Sequence, residues 1–436
     1  MKTTTDNKSN LSATGSMEGK VISEPSFLDR FSSKLIVDTL VSMKKGYLSL
    51  TMPDGSNVDN GSHDRSFTCN IEINSYNFFR RCIAFGAIGF AESYMEAEWS
   101  SDNLVDVIRW FILNGDQSTV MDGSDRKKLF LDLFNVFNRI GHRLRDNTRA
   151  MSRKNIEEHY DLSNELFKLF LDESMTYSSA IFSPGDYDLA RAQVRKYESL
   201  AQALYLESGD HVLEIGCGWG GFACYLARQY GVRVTGITIS REQFDFACQR
   251  VIDEGLADRV DIQFSDFRDL KGEFDKIASI EMVEALGDAQ VDVFFARCRE
   301  LLKRDGVLAI QMIMSPDSRY EELKGGVDFI QKHIFPGSLL LSMERVVKAT
   351  SSTSNLHLIG MKEFPESYAK TLSQWSSNFQ DNLDKVRELG FSEQFIRKWL
   401  YYFAYCEAAF DMRQISVVQF AMTGPNNLKL REKRSL

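Results

Sequence analysis

Apolar positions along this chain recur at two spacings, and the change from one to the other divides it. Phe27, Phe31 and Leu35 stand at helical intervals, whereas Leu48, Leu50 and Met52 alternate with Ser49 and Thr51 as in a half-buried strand. Pro53, Asp54 and Gly55 make a turn. Ser101 or Asp102 can cap a helix whose Leu104, Val107, Ile108, Phe111 and Ile112 form one apolar face, closed by Gly115. Residues 26–115 therefore read as a small α+β domain behind a polar tail, residues 1–25, expected to be disordered. A second helical stretch over 116–154 carries most of the local basic charge and reads as a linker. From residue 155 onward the pattern changes to a helix from Asn164 to Leu171 and apolar runs at 211–215, 232–237, 260–264, 274–281 and 306–313. Helical segments lie between most of these runs, which predicts an α/β domain over 155–436 with a parallel sheet and helices on its faces. After about Glu366 the chain reads mainly as aromatic-rich helices, with Trp399, Tyr402, Phe403 and Cys406 at core spacing.

The first parallel strand runs from Val212 into Gly216-Cys-Gly-Trp-Gly-Gly221, four glycines in six residues. Such a turn lets a nucleotide-like cofactor approach the main chain at the amino end of the next helix. Gly216, Gly218 and Gly221 also fit the spacing of NAD sites, so the glycines alone do not choose the cofactor. An NAD site would want an acid about 20 residues on, where this chain has Gly236, and that weakens the NAD reading. Thr238 and Ser240 beyond it offer hydroxyls to a cofactor or caps to the next helix.

Composition narrows the choice further. Hydrophobic content of 43% and charged content of 26% are ordinary for folded domains, and 436 residues suit two of them. The net charge of −9 argues against a general nucleic-acid binder, which needs positive charge to displace counterions from phosphates. One basic run, Arg139, Arg143, Arg145, Arg149, Arg153 and Lys154 against Asp146 alone, could meet anionic lipid head groups or be a solvated helix face. Seven cysteines without a C-x-x-C pair suggest reduced thiols. With no run of about 18 apolar residues, the expected location is the cytoplasm, with contact to membranes from outside. The histidines are isolated, and no metal is expected.

Five ordered motifs then become recognisable: His159-Tyr-Asp-Leu-Ser-Asn-Glu-Leu-Phe167, Met175-Thr-Tyr-Ser-Ser-Ala180, the glycine turn, Gly236-Ile-Thr-Ile-Ser-Arg-Glu-Gln243 and Glu281-Met-Val-Glu284. Together, over Asn155 to about Pro425, they resemble the cyclopropane-fatty-acid synthase family, whose members use S-adenosylmethionine (SAM). Gln311, Pro316-Asp-Ser-Arg-Tyr320 and Ile334-Phe-Pro-Gly337 look closest to the subgroup that includes plant enzymes. The resemblance implies a Rossmann-like class I SAM methyltransferase domain with a smaller amino-terminal α+β lipid-handling domain. It implies that Tyr177, Ser178, Gly216, Gly218, Thr238, Ser240 and Gln243 surround SAM, with Asp266 and Phe267 near the adenine. His159 and Asp161 suggest a polar lid, and some carboxy-terminal aromatics could line an acyl pocket.

The implied reaction adds the SAM methyl to a cis double bond of a phospholipid acyl chain, then removes a proton to close a cyclopropane ring. The family's base is a bound bicarbonate ion. By position, its ligands here are the backbones of Ser179 and Ile313 and the side chains of Glu284, Gln311 and Tyr368. Three departures accompany the resemblance: Ser179 stands where many bacterial relatives carry Cys, and Gln311 and Ala285 stand where they carry His. Gln311 can donate to an anion without becoming cationic. The leading expectation is a SAM-dependent cyclopropane synthase acting on unsaturated phospholipid acyl chains at the membrane surface. A fatty-acyl methyltransferase giving methyl- or methylene-branched chains is the close alternative, a catalytically inactive lipid-binding protein the second, and an NAD oxidoreductase a remote third. The partners expected are a phospholipid membrane surface and a second copy of the chain, with no nucleic acid.

Overall fold

The computed structural model describes residues 25–61, 67–115 and 163–430. The basic run and the proposed lid residues His159 and Asp161 lie outside the described residues.

Ser26 opens helix α1 (Phe27–Ser42) through a reciprocal capping box with Asp29. Strands β1 (Tyr47–Thr51), β2 (Asn57–Gly61), β3 (Thr68–Ile73) and β4 (Trp99–Ser100) form a sheet in the order β2-β1-β3-β4. The alternation expected of β1 is present: Leu48 and Leu50 are buried, while Ser49 donates to Asp59 across the hairpin. Helices α2 (Asn77–Met95) and α3 (Leu104–Gly115) pack beside this sheet, the latter with the bounds its periodicity predicts. α1 departs from expectation in its facing. Its inner stripe is Asp29, Ser32, Ile36 and Leu40, and Asp29 is tied to Arg80 of α2. Phe27, Phe31 and Leu35, the positions that predicted the helix, are 83, 62 and 42% exposed.

The larger sheet has seven strands: β5 (His211–Ile215), β6 (Arg233–Thr238), β7 (Val260–Phe264), β8 (Phe274–Ile280), β9 (Leu302–Met314), β10 (His357–Glu363) and β11 (Ser416–Thr423), ordered β10-β11-β9-β8-β5-β6-β7. The first five run parallel, as the alternation predicts, whereas β11 joins β9 antiparallel and β10 joins β11 antiparallel. Helices α4 (Leu189–Leu204), α5 (Gly221–Tyr230), α6 (Arg241–Asp253) and α7 (Asp288–Leu301) flank this sheet. Two long helices, α8 (Pro365–Asp381) and α9 (Glu393–Asp411), carry the carboxy-terminal aromatics. The last two strands were not predicted: β10 precedes that aromatic-rich segment and is exposed along nearly its whole length, and β11 follows it. β11 is buried along nearly its whole length between β9 and β10, but Ser416, Gln419 and Thr423 interrupt its apolar run.

The small sheet and the carboxy-terminal helices share one core. Trp99 and Trp110 of the first region belong to the same buried cluster as Trp375 and Trp399 of α8 and α9. Arg397 of α9 clamps the contact, donating to the Trp99 carbonyl at 2.7 Å and lying 3.9 Å from the Tyr94 ring centre. α2 also reaches the interior: it kinks at Gly86, and the next residues, Ala87 and Ile88, line the central cavity.

Candidate active site

A cavity of about 590 Å³ opens at the carboxyl ends of the parallel strands, the usual place for a ligand in such a sheet. Its first wall is the turn after β5. Gly216 has φ 80°, and a Cβ there would lie 2.8 Å from the Met282 side chain, so only glycine fits. The Gly216 and Cys217 amides both donate to the Ile237 carbonyl, which pins this turn to the end of β6. Gly218, Thr238, Gln243, Asp266 and Phe267 line the same end of the cavity, together with Tyr177 and Ser178. The Thr238 hydroxyl donates to Gln243 Oε1, while Asp266 is paired with Arg268 at 2.6 Å.

Ser240 departs from its expected role. It does not line the cavity; its hydroxyl accepts from the Gln243 amide and caps α6, the alternative its position left open.

Two buried charges that the motifs did not single out complete this end. Glu214, the penultimate residue of β5, leaves its Oε2 buried without a hydrogen-bond partner, and burial pushes its carboxyl up to about 8. Lys196 of α4, fully buried, donates to Ser178 Oγ at 2.7 Å, and burial lowers its ammonium to about 8. A turn stripped of side chains beside an unpaired carboxylate oxygen suits a cofactor that is cationic and carries an amino-acid moiety. SAM has both properties.

The second wall follows β8. Glu281 comes directly after the strand, and its amide donates to the Gln311 carbonyl of β9. Its carboxylate accepts from three donors: the Ser179 amide at 2.9 Å, Gln311 Nε2 at 2.7 Å and the Tyr368 hydroxyl at 2.6 Å. Each donor is held in turn. Gln419 donates to Gln311 Oε1, which turns the Gln311 amino group toward Glu281. Tyr368 stacks on Phe410 with ring centres 4.3 Å apart. The Ser179 loop is fastened to α8, where Thr371 accepts from the Ala180 amide and Ser367 from the Phe182 amide.

Glu284, one turn further on, accepts the Ile313 amide with one oxygen and keeps the other buried and unpartnered. Burial, reinforced by the neighbouring Glu281 charge, pushes Glu284 up to about 8. Glu281 is also raised by burial, but Tyr368, Gln311, Ser179 and the Lys196 charge oppose that rise. The pair therefore divides into a buried carboxylate held by three protein donors and a carboxyl held more strongly toward its neutral form.

Glu284, Ile313 and Tyr368 line the cavity as expected, whereas Ser179 and Gln311 lie wholly buried behind it. The donor set expected for bicarbonate is committed inside the chain, three members to Glu281 and the Ile313 amide to Glu284. A bicarbonate ion does not fit these residues, because its place among the donors is filled and its charge would face a carboxylate. Glu281 was visible in the motif as the first of two acids three residues apart after an apolar strand, but its role was not assigned.

One further part of the cavity is aromatic and aliphatic. Tyr401, Tyr402 and Phe410 of α9, Leu372 of α8, Phe335 and Ile88 contribute to it, giving space for a hydrocarbon chain.

A parallel sheet with a glycine turn after its central strand and a cavity at the carboxyl ends defines a Rossmann-like fold of the SAM methyltransferase class. It aligns with the mycolic acid cyclopropane synthase CmaA1 complexed with SAH and CTAB at a TM-score of 0.58 and 30% identity, covering 62% of this chain and 97% of that one. The cyclopropane synthase MmaA2 from Mycobacterium tuberculosis aligns equally, with a TM-score of 0.58 and 30% identity over 62% of this chain and 97% of that one. Residues 147–420 match the family described as mycolic acid cyclopropane synthetase, and the chain belongs to that family. Among similar proteins, the tuberculostearic acid methyltransferase UfaA1 of Mycobacterium tuberculosis is 37% identical over 79% of this chain and 80% of its own. The cyclopropane-fatty-acyl-phospholipid synthase of Escherichia coli is 34% identical over 81% of this chain and 87% of its own.

Proposed function

We propose that the protein methylates a cis double bond in the acyl chain of a phospholipid, with SAM as methyl donor, and closes a cyclopropane ring when a proton leaves the new methyl group. The observation that carries this reading is the continuity of the cavity, whose lining joins the glycine turn and Glu214 to Glu281, Tyr368 and an apolar aromatic end. Bound against Gly216 and Gly218, SAM supplies a sulfonium methyl, to which the alkene π pair forms a new C–C bond while the C–S pair leaves with sulfur. The chain's own residues do the rest. Glu214 and Ser178 face the polar moiety, Phe267 and Asp266 the adenine, and the aromatics of α8 and α9 keep water from the alkyl cation. No helix among the described residues is long and apolar enough to cross a membrane. The substrate's chemistry, a double bond buried in an acyl chain, places its source at a membrane surface, with help from the amino-terminal region and the basic stretch around Arg143 to Arg153.

Purified protein incubated with SAM and cis-unsaturated phospholipid vesicles should yield acyl chains heavier by one CH2 group, with ring protons in the NMR spectrum. No mass gain in protein that demonstrably binds SAM rules this reading out. A second reading, a methyl- or methylene-branched product, is favoured by the similarity to a tuberculostearic acid methyltransferase. Branched-methyl or exocyclic methylene signals in place of ring protons would establish it.

A further inference from the structure

We infer that the Glu281 carboxylate is the base that takes the proton after methyl transfer, so that this protein works without a bound bicarbonate ion. The inference rests on the proposed alkene methylation. Its grounds are geometric. Ser179 N–H, Gln311 Nε2 and Tyr368 Oη converge at 2.6 to 2.9 Å on one anionic group, which is covalently part of the chain and faces the cavity. Glu281 also adopts φ 47°, a conformation that glycine takes freely. Holding a side chain there strains the backbone, and such strain gathers at functional sites. The side chain is retained at that cost, with three donors arranged to receive it. Glu284 is less well held as an anion. It has a single backbone donor, and its second oxygen is unpartnered.

The step balances within the substrate and Glu281. A C–H bond of the methylated alkyl cation breaks, its proton goes to a Glu281 oxygen, and its electron pair becomes the new C–C bond of the ring. In the branched-chain reading, a C–H bond beside the cationic carbon breaks and the pair becomes a double bond. Either way Glu281 ends neutral and returns its proton to solvent.

The test compares the wild type and Glu281→Gly in buffer stripped of carbon dioxide and in buffer with added bicarbonate or formate. The glycine variant relieves the backbone and leaves an anion-sized gap among three donors. The wild-type rate is expected to be the same in all buffers within twofold. Glu281→Gly should be at least about 100-fold slower, and should regain at least tenfold with either anion. Carbon-13 bicarbonate should bind to the variant and not to the wild type, a signal that does not require turnover. A wild type that slows tenfold without carbonate, or that binds labelled bicarbonate in the cavity, overturns the inference. So does a folded Glu281→Gly with an undiminished rate in stripped buffer. Failure of the wild type to methylate in any buffer strikes the proposed function instead, and the labelled-bicarbonate arm then still decides who occupies the donors.

Discussion

The turns after β5 and β8 lie side by side at the carboxyl end of the same sheet and use the left-handed backbone region for opposite ends. After β5, Gly216 sits at φ 80° with no side chain, and the space this leaves is the cofactor's. After β8, Glu281 sits at φ 47° with a long charged side chain, so the same kind of turn delivers an anion. The glycine turn is inexpensive because glycine populates this region readily, whereas the glutamate turn stores strain that only its three hydrogen bonds offset. One turn makes room and the other makes charge. Met282 links them, since its side chain is what a Cβ at Gly216 would strike.

The largest effect should come from removing the charge while keeping the shape. Glu281→Gln is expected to lower turnover by about 10²- to 10⁴-fold, the range for a lost proton acceptor. SAM affinity, measured by calorimetry, should stay within about threefold, because the β5 turn is untouched. A parallel loss of affinity would show that the two turns are one functional unit.

Next in size is Gly216→Val, which fills the other turn. Both the φ of 80° and the 2.8 Å approach to Met282 oppose it. SAM should bind at least about tenfold more weakly, equivalent to 1.4 kcal/mol or more. Normal affinity in this variant would mean that the cofactor does not use the turn.

Tyr368→Phe removes one of three donors to Glu281 and leaves the ring stacked on Phe410. A hydrogen bond to a charged group is worth about 1.5–3 kcal/mol, so a rate loss of about 10- to 150-fold is expected. The pH profile should also move. With one donor gone, Glu281 is raised further, and the acid limb of the rate should shift toward higher pH. The charged and titratable groups facing Glu281 include Glu284, Lys196, Tyr402 and Tyr368 itself. An unshifted profile would assign that limb to another group.

The smallest effect concerns stability. Glu284 is raised in the folded protein from 4.5 to about 8, so the folded state binds more protons than the unfolded state between those values. Stability must therefore fall as pH rises from 4.5 toward 8. Glu214, raised similarly by burial, acts in the same direction. Thermal unfolding of Glu284→Gln should depend less on pH over this window than the wild type, with part of the slope remaining from Glu214. An unchanged slope would mean that Glu284 is ionised in the folded protein.

The parallel core was legible because strands buried on both faces read as continuous apolar runs, as at Leu213 and Ile277. β10 and β11 were not, since β10 pairs with β11 and β11 with β9, partners far from their own sequence neighbourhood. The stripe of Phe27, Phe31 and Leu35 gave the helix but not its facing, because periodicity locates an apolar side without saying what covers it. Ser240 could be read as cap or ligand, and its hydrogen bond to the Gln243 amide made it a cap.

The family, the glycine turn and the pair of acids at 281 and 284 were fixed by sequence alone, because each is a local pattern of residue types. Which acid stands as the anion was decided only by the fold. Glu281 meets Ser179, Gln311 and Tyr368 across 102, 30 and 87 positions of chain. No local spacing encodes that convergence. It exists because β8, β9, the Ser179 loop and α8 close around one point, where a buried carboxylate is stable only if donors from all of them reach it.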